Sequence, residues 1–387
     1  MAKKYVTTEK LPIKLWLDDI EDGALEQAKN LANLPFAFKH ISIMPDSHQG
    51  YGMPIGAVLA TKGVVVPNAV GVDIGCGMCA VKTNLTDISK EELQKIVEKA
   101  KELIPVGFNW HEKDQSYTGF MPERPNDEFE IINQNYDKAK VQIGTLGGGN
   151  HFIEIQKGSD GHIWIMIHSG SRNLGYKTAK YYNDVAIKLN ETYFSSVTKN
   201  LELAFLPLNT DYANNYFKEM NYCVEFAKQN RFLMLDKMKE AFNTVMETSF
   251  ECDIINESHN FVAWENHFNR NVLVHRKGAT RAYKNELGIV PGSQGTKSYI
   301  VKGLGNNESF KSCSHGAGRK MGRKQAIREL DLKKEQKLMS GIIHNIETKQ
   351  QLDEAPSAYK DIDTVMENQK DLVEIFVELK PLAVLKG

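Results

Sequence analysis

The spacing of hydrophobic and polar positions changes several times along the 387-residue chain, and each change marks an element. Residues 57–66 (AVLATKGVVV) are apolar and rich in β-branched side chains, which predicts one buried strand ended by Pro67-Asn68-Ala69-Val70-Gly71. Ser89 and Glu92 stand at capping-box spacing. Behind them Leu93, Ile96, Val97, Ala100, Leu103 and Ile104 repeat at the helical period as far as Pro105, so an amphipathic helix is expected there. Residues 110–140 are polar, carry Pro122 and Pro125, and read as a long surface excursion. The segment IWIMI, residues 163–167, is apolar on both faces and predicts a central strand ending at His168. Two long helical stretches are expected within residues 175–250, a strand at 271–275, and a closing pair of strands around Pro381 within 372–385. Strands and helices mix without the regular alternation of a doubly wound sheet, so the fold class is α+β. No Pro/Ser-rich linker or internal repeat divides the chain, and a single domain over residues 1–387 is expected.

Composition narrows the partners. Hydrophobic residues make up 41% and charged residues 25%, ordinary values for a chain that buries a core. The 48 Lys and Arg against 49 Asp and Glu leave a net charge of −1, which offers no global attraction to a polyanion or a membrane. No apolar run approaches the ~18–20 residues that cross a bilayer, and Met1-Ala-Lys-Lys leads into polar sequence, so no membrane partner and a cytoplasmic location are expected. Cys76, Cys79, Cys223, Cys252 and Cys313 are an odd number spread through a long chain. That is a poor disulfide framework, and any special cysteine is better read as a ligand or nucleophile. Charge is uneven, however. Residues 267–330 hold 13 Lys or Arg against Glu286, Glu308 and Glu329, a local +10 balanced by −11 elsewhere, which suits a polyanion held beside a phosphate site.

The candidate chemistry gathers where histidine meets glycine. Five of the eleven histidines have such a setting: His48 in PDSHQGYG, His151 in LGGGNHF, His168 in IHSGSR, His259 in ESHNF and His315 in CSHGAGR. Glycine there lets backbone approach a ligand and present its amides. In Gly71-Val72-Asp73-Ile74-Gly75-Cys76-Gly77-Met78-Cys79 an acid and a thiol stand three apart on a glycine-lined turn, a spacing that lets both reach one metal ion. The same stretch also reads as a structural turn or, through Cys76-x-x-Cys79, as half a zinc site or a redox pair, although no second CxxC accompanies it. Its Gly75-x-Gly77-x-x-Ala80 pattern is followed by poor helix formers and is no dinucleotide loop. Arg172 and Arg319 each lie four residues after a histidine beside glycines, as phosphate-holding forks do. His315-Gly-Ala-Gly-Arg319 is expected to open a helix whose N-terminal amides favour an anion. The turn Pro291-Gly292-Ser293-Gln294-Gly295-Thr296 is a second anion cradle. No P-loop and no Lys-x-Asp-Gly motif occurs, so a covalently attached nucleotide would use histidine.

At these residues the chain resembles the RtcB family of GTP-dependent RNA-splicing ligases. The matching segments include MPDSHQGYGMPIGAV, VGVDIGCGM, LGGGNHFIE, IHSGSRNLG, HNFVAWE, HRKGATRA, PGSQGTKS, SHGAGR, DEAPSAYKDID and the terminal LAVLKG, in that order from residue 44 to 387. The resemblance implies a family-specific α+β fold, mixed β-sheets surrounded by helices around a central dinuclear metal cleft. It implies joining of RNA ends bearing a 3′-phosphate or 2′,3′-cyclic phosphate to 5′-hydroxyl ends, in RNA repair or tRNA splicing, with GTP as co-substrate and two Mn²⁺ ions. Manganese comes only from the resemblance, since a Cys/His site alone suggests zinc. Transferred residue by residue, one ion falls on Asp73, Cys76 and His151 and the other on Cys76, His168 and His259, with the thiolate bridging. The guanylated histidine falls on His315. Contacts to GTP or GMP fall on Asn150, His151, Glu154, His259, Asn260, Pro291, Gly292, Ser293, Gln294, Ser298, Gly316, Ala317, Gly318, Tyr359 and Lys386, beside His315 itself. Arg172 and Arg319 would hold phosphates, and Asp46 and His48 belong to the substrate side, Asp46 among the catalytic residues. The family pattern leaves room for an activating protein partner and is compatible with a monomer. Gln294 stands where many members carry methionine, and Ser47 where many carry valine.

Overall fold

The computed structural model describes residues 2–251 and 253–387; Met1 and Cys252, both named above, lie outside them. Two large sheets form the frame, a mixed one with a single parallel pair and a wholly antiparallel one. One has six strands in the order Lys4–Val6, Ile13–Leu15, Ala37–His48, Ile55–Thr61, Arg270–Lys277, Asn260–His267. The other has seven, in the order Ile255–Ser258, Gly77–Lys82, Ile163–Ser169, Phe152–Gly158, Val373–Lys386, Ser298–Gly303, Leu287–Val290. The α+β expectation holds, and IWIMI is a central strand of the larger sheet as its two-sided apolarity requires.

Alternation along the strands of the larger sheet decides which residues face the chemistry. Cys79, Val81, Ile163, Ile165, Ile167, Ile153 and Ile155 point to one side, where they pack with Leu93, Ile96 and Val97 and with Met234, Leu235 and Met238. These come from the helices Lys90–Leu103 and Asp211–Asn243. Met78, Ala80, Trp164, Met166 and Phe152 point to the other side. His168, Cys76 and Glu154 share the parity of that second set, so the pleat itself delivers them to one face.

The helix Lys90–Leu103 is nucleated as its sequence predicts. The Ser89 hydroxyl accepts from the Glu92 amide, and the Glu92 carboxylate accepts from the Ser89 amide. The two long helical stretches are Arg172–Thr192 and Asp211–Asn243. Four expectations need correction. The 57–66 run is two strands, Ile55–Thr61 and Val64–Val65, because Lys62-Gly63 makes a turn inside it. The polar 110–140 segment is not a loop throughout: Glu130–Gln142 is a helix whose Ile131, Ile132, Tyr136 and Ala139 supply a buried stripe. The residues after His315 do not open a helix at once. Helix begins only at Arg323, after the Gly322 cap.

The closing pair of strands is a single strand, Val373–Lys386, with a bulge between Pro381 and Ala383. The extra residue changes which side chains face which way. Before it, Val377 and Leu379 face the second side; after it, Val384 does, and Lys386 with it. Without the bulge Lys386 would turn toward the helices.

The smaller sheet carries a buried ion pair. Arg276, fully buried, forks onto both carboxylate oxygens of Glu265, and His267 lies 2.8 Å from the same carboxylate. Burial alone would push the Glu265 carboxyl up, but the Arg276 guanidinium and the His267 hydrogen bond outweigh it and hold the group at about 2. A carboxyl whose folded value is depressed contributes stability above its ordinary range. That contribution disappears as the pH falls through that range toward 2. Glu265→Gln should therefore lower the unfolding free energy near neutral pH by about 3–5 kcal/mol and flatten its fall with acid, which urea titrations at about pH 3 and about pH 7 will measure.

Candidate metal centre and nucleotide cleft

The donors are placed by the ends of neighbouring strands. Ser258 pairs with Gly77, Gly77 with Ser169, and His168 with Phe152. The residues flanking these pairs are His259, Cys76, His168 and His151, so one end of the larger sheet collects four of the five expected ligands in a row. His259 sits where the chain leaves the larger sheet after Ser258 and enters the smaller one at Asn260. Asp73 completes the set from the turn before Cys76.

The distances are those of groups converging on a cation. Cys76 Sγ lies 3.4 Å from His151 Nε2 and 3.3 Å from His168 Nε2. His168 Nε2 lies 3.4 Å from His259 Nε2, and His151 Nε2 lies 3.2 Å from Asp73 Oδ2. Two groups of three, Cys76–His168–His259 and Asp73–Cys76–His151, each bring their ligand atoms within 4.8 Å, and Cys76 belongs to both. Second partners orient the rings: His168 Nδ1 is 2.9 Å from the Asn150 carbonyl and His151 Nδ1 is 3.0 Å from that of Leu146. A carbonyl only accepts, so each Nδ1 carries a proton and Nε2 is the atom turned toward the other donors. Arg172 Nη1 at 3.2 Å from the same His151 nitrogen then lies alongside without donating to it.

Burial holds His168 and His259 well below the ordinary histidine value, with the neighbouring histidines adding to the effect, so both rings are neutral ligands at pH 7. Burial pushes the Cys76 thiol well up, and the Asp73 charge pushes in the same direction. Burial also opposes the charge on Asp73, but hydrogen bonding and attraction to His151 hold its carboxyl down at about 2. Three imidazole nitrogens, a thiol and a carboxylate oxygen converging at hydrogen-bond distance fit one or two divalent cations, which would also turn the thiol into thiolate.

Beside these groups opens a cleft of about 450 Å³. Its wall includes Asp73, Cys76, His168 and His259 and, next to them, His315 with Gly316, Ala317 and Gly318. His48, Asn150, Glu154, Asn260, Pro291, Gly292, Ser293, Gln294, Arg319, Tyr359 and Lys386 line the rest. Four expected site residues stand behind the wall. His151 is one, as a donor. Asp46, fully buried, places Oδ2 2.6 Å from His315 Nδ1 and 3.1 Å from the His315 amide nitrogen. Ser298 accepts the Gly292 amide at 3.1 Å and so holds the Pro291–Gln294 turn from below. Arg172 reaches Thr145 and packs against Gly147, away from the cleft.

His315 follows the short strand Ser312–Ser314, and its ring centroid lies 4.7 Å from that of His259. Because the Asp46 carboxylate engages Nδ1, Nε2 is the ring nitrogen left to face the cleft. Gly318 permits this arrangement: at φ +74° its backbone passes so near the Asp46 carbonyl that a Cβ would lie 2.0 Å from the oxygen.

Arg319 lines the cleft, but its guanidinium is committed to Glu354 at 3.0 Å and to the carbonyls of Met321 and Asp353. Glu354, nearly fully buried, also takes Arg323 at 2.7 Å and the Tyr359 hydroxyl. Glu354, Arg323 and Lys277 are cleft residues that motif reading did not single out, although each lies in or beside a quoted segment. Burial brings Lys277 down to about 8 and pushes the Glu154 carboxyl up to about 8, the latter against the pull of Lys386. Gln294 donates to the Glu354 carbonyl at 2.8 Å, which ties the turn to the same cluster.

Seven of the thirteen basic residues in the 267–330 segment are engaged within the chain. Arg276 is buried against Glu265, Lys277 is buried on the Asn68 and Tyr51 carbonyls, and Arg281, Lys297, Arg319, Arg323 and Arg328 are ion-paired. Among the described residues no helix is long and apolar enough to cross a membrane.

Comparison with known proteins agrees with the geometry. A family model described as tRNA-splicing ligase RtcB matches residues 27–125 and 116–387. The RNA-splicing ligase RtcB of Escherichia coli K12 is 38% identical over 417 residues that span all of both chains. The tRNA-splicing ligase RtcB of Thermococcus kodakarensis is 30% identical across 99% of this chain and 96% of its own. The order of motifs, the α+β frame and these full-length matches place the chain in the RtcB family of RNA-splicing ligases.

Proposed function

We propose that the protein is an RNA ligase that joins a 3′-phosphate or 2′,3′-cyclic phosphate end to a 5′-hydroxyl end through a guanylated His315. One observation carries the reading: His315 presents a free Nε2 to the cleft, with Nδ1 anchored on buried Asp46, beside two overlapping groups of metal donors. The whole chain acts as one catalytic domain, a monomer in the cytoplasm, on RNA damaged or cut during tRNA splicing, with or without an activating protein partner.

GTP enters with its base toward Glu154 and the Pro291–Gln294 turn, and with Asn150, Asn260, Tyr359 and Lys386 around the nucleotide. His315 attacks the α-phosphorus through the lone pair of Nε2; the N–P bond forms as the bond to pyrophosphate breaks. The positive charge that develops on the ring is offset by Asp46 through Nδ1–H. The RNA 3′-phosphate, freed by hydrolysis where it begins as a cyclic ester, then attacks the phosphoramidate. The N–P bond breaks and RNA(3′)pp(5′)G is released from the imidazole. Attack by the 5′-hydroxyl on the 3′-phosphate forms the new phosphodiester and expels GMP. Arg319 stabilises phosphate charge from the cleft wall, while Arg172 supports it from behind His151. Two Mn²⁺ ions, held by Asp73, Cys76 and His151 and by Cys76, His168 and His259, would supply charge neutralisation and Lewis acidity.

The test is ligation of a defined RNA pair with GTP and Mn²⁺ varied independently. Joined product is expected only with both present and only with a 5′-hydroxyl acceptor. Cyclic-phosphate hydrolysis without joining, at saturating GTP, would replace the ligase by a metal-dependent phosphodiesterase.

A further inference from the structure

The helix Asp211–Asn243 contributes nothing to the cleft wall, yet it presses on the metal-binding turn. Gly75 has φ +74°, and a Cβ there would lie 2.8 Å from Val224 Cα of that helix. Two side chains of the same helix, Asn230 and Arg231, are completely buried. Arg231 Nη1 donates to the carbonyls of Gly75 at 3.0 Å and Ser169 at 2.9 Å. Its Nε donates to Asn256 Oδ1 at 2.8 Å, and Nη2 reaches Ser258 Oγ at 3.5 Å. Gly75, Ser169 and Ser258 are the immediate chain neighbours of Cys76, His168 and His259. Asn230 adds the carbonyls of Thr145 and Gly170 through Nδ2 and takes the Gly144 amide on Oδ1, which secures the loop leading to His151.

We propose that Arg231, assisted by Asn230, is the positioning residue of the metal centre. One guanidinium holds the three backbone segments that carry Cys76, His168 and His259 in register. The inference rests on the metal-centre reading given above. The hydrogen-bond partners of Arg231 are all neutral, and burial opposes its charge more than the longer-range pull of groups such as Glu257 and Asp73 supports it. Four donors in a rigid fork can hold three segments at once, and a lysine on the same stem cannot.

The test is made on the full chain, with Mn²⁺ affinity by calorimetry and the absorption spectrum of Co²⁺ bound in its place. Binding by the unaltered chain is the reference, and its absence would sink the metal-centre reading itself. Arg231→Lys should lose about 10- to 100-fold in Mn²⁺ affinity and shift the Co²⁺ bands while keeping its far-ultraviolet circular dichroism. Phe226→Leu, a core change on the same helix, should lower stability and leave both metal readouts as in the unaltered chain. Asn256→Ala frees only the Nε end of Arg231 and should weaken Mn²⁺ binding in the same direction by less; it decides the question if Arg231→Lys does not fold. Unchanged affinity with an unchanged Co²⁺ spectrum, in whichever of these two variants folds, would overturn the proposal.

Discussion

Replacing His315 with Ala should abolish transfer of label from α-phosphate-labelled GTP to the protein. The reason is covalent and not merely local: among the described residues no other histidine of the cleft wall has a carboxylate on its Nδ1. His48 also lines the cleft, but its Nδ1 faces the Asp46 backbone carbonyl at 3.1 Å, and burial holds its pKa down. The adduct on the unaltered chain should be labile in acid and stable in base, as a phosphoramidate is. Asp46→Asn should keep the adduct chemistry and slow it by about 10²–10⁴-fold, since an amide can turn its N–H₂ toward Nδ1, favour the wrong tautomer and leave the developing imidazolium uncompensated. Single-turnover labelling separates the two variants. Label retained in His315→Ala would remove His315 as the nucleophile, and an undiminished rate in Asp46→Asn would remove the tautomer argument.

Much of the centre is visible in the sequence because its ligands sit at strand ends, where the chain must turn and glycine is frequent. His168 ends the strand whose two-sided apolarity is plain, so there motif and element boundary coincide, whereas the strands Gly77–Lys82 and Phe152–Gly158 beside Cys76 and His151 appear only in the fold. What stays hidden depends on tertiary contact. The bulge before Ala383 changes the face of Lys386, yet PLAVLKG contains no residue that announces an extra position. Helix Glu130–Gln142 is masked by a polar surface stripe, and only packing against its neighbours shows that Ile132 and Tyr136 are core. Glu354 gathers Arg319 and Arg323 from a segment more than thirty residues earlier beside the nearby Tyr359, a convergence that no local spacing encodes.

The charge pattern is a related case. Summed along the sequence, residues 267–330 look like a binding face; in three dimensions most of their guanidinium groups are consumed by internal carboxylates. Pairing of this kind costs long-range attraction but fixes side-chain positions at the cleft wall. Salt should accordingly weaken RNA binding less than a count of the segment's thirteen basic residues suggests.

Cys76→Ser should remove more from this protein than the loss of any other metal ligand. Cys76 is the member shared by both donor groups, whereas Asp73 and His151 belong to one and His168 and His259 to the other. A neutral serine hydroxyl in a buried site is a poor replacement for a thiolate, because it keeps its proton and contributes no charge against the repulsion between two nearby cations. Calorimetric titration should therefore find two Mn²⁺ on the unaltered chain, about one on Asp73→Asn and essentially none on Cys76→Ser. Guanylylation and ligation should both fall by at least about 10³-fold in Cys76→Ser, equivalent to the several kcal/mol that metal charge supplies to phosphoryl transfer. The fold should persist, since the donors lie at strand ends outside the apolar clusters. Two ions bound to Cys76→Ser with near-normal affinity would show that the two groups are filled independently and that the thiol is no bridge.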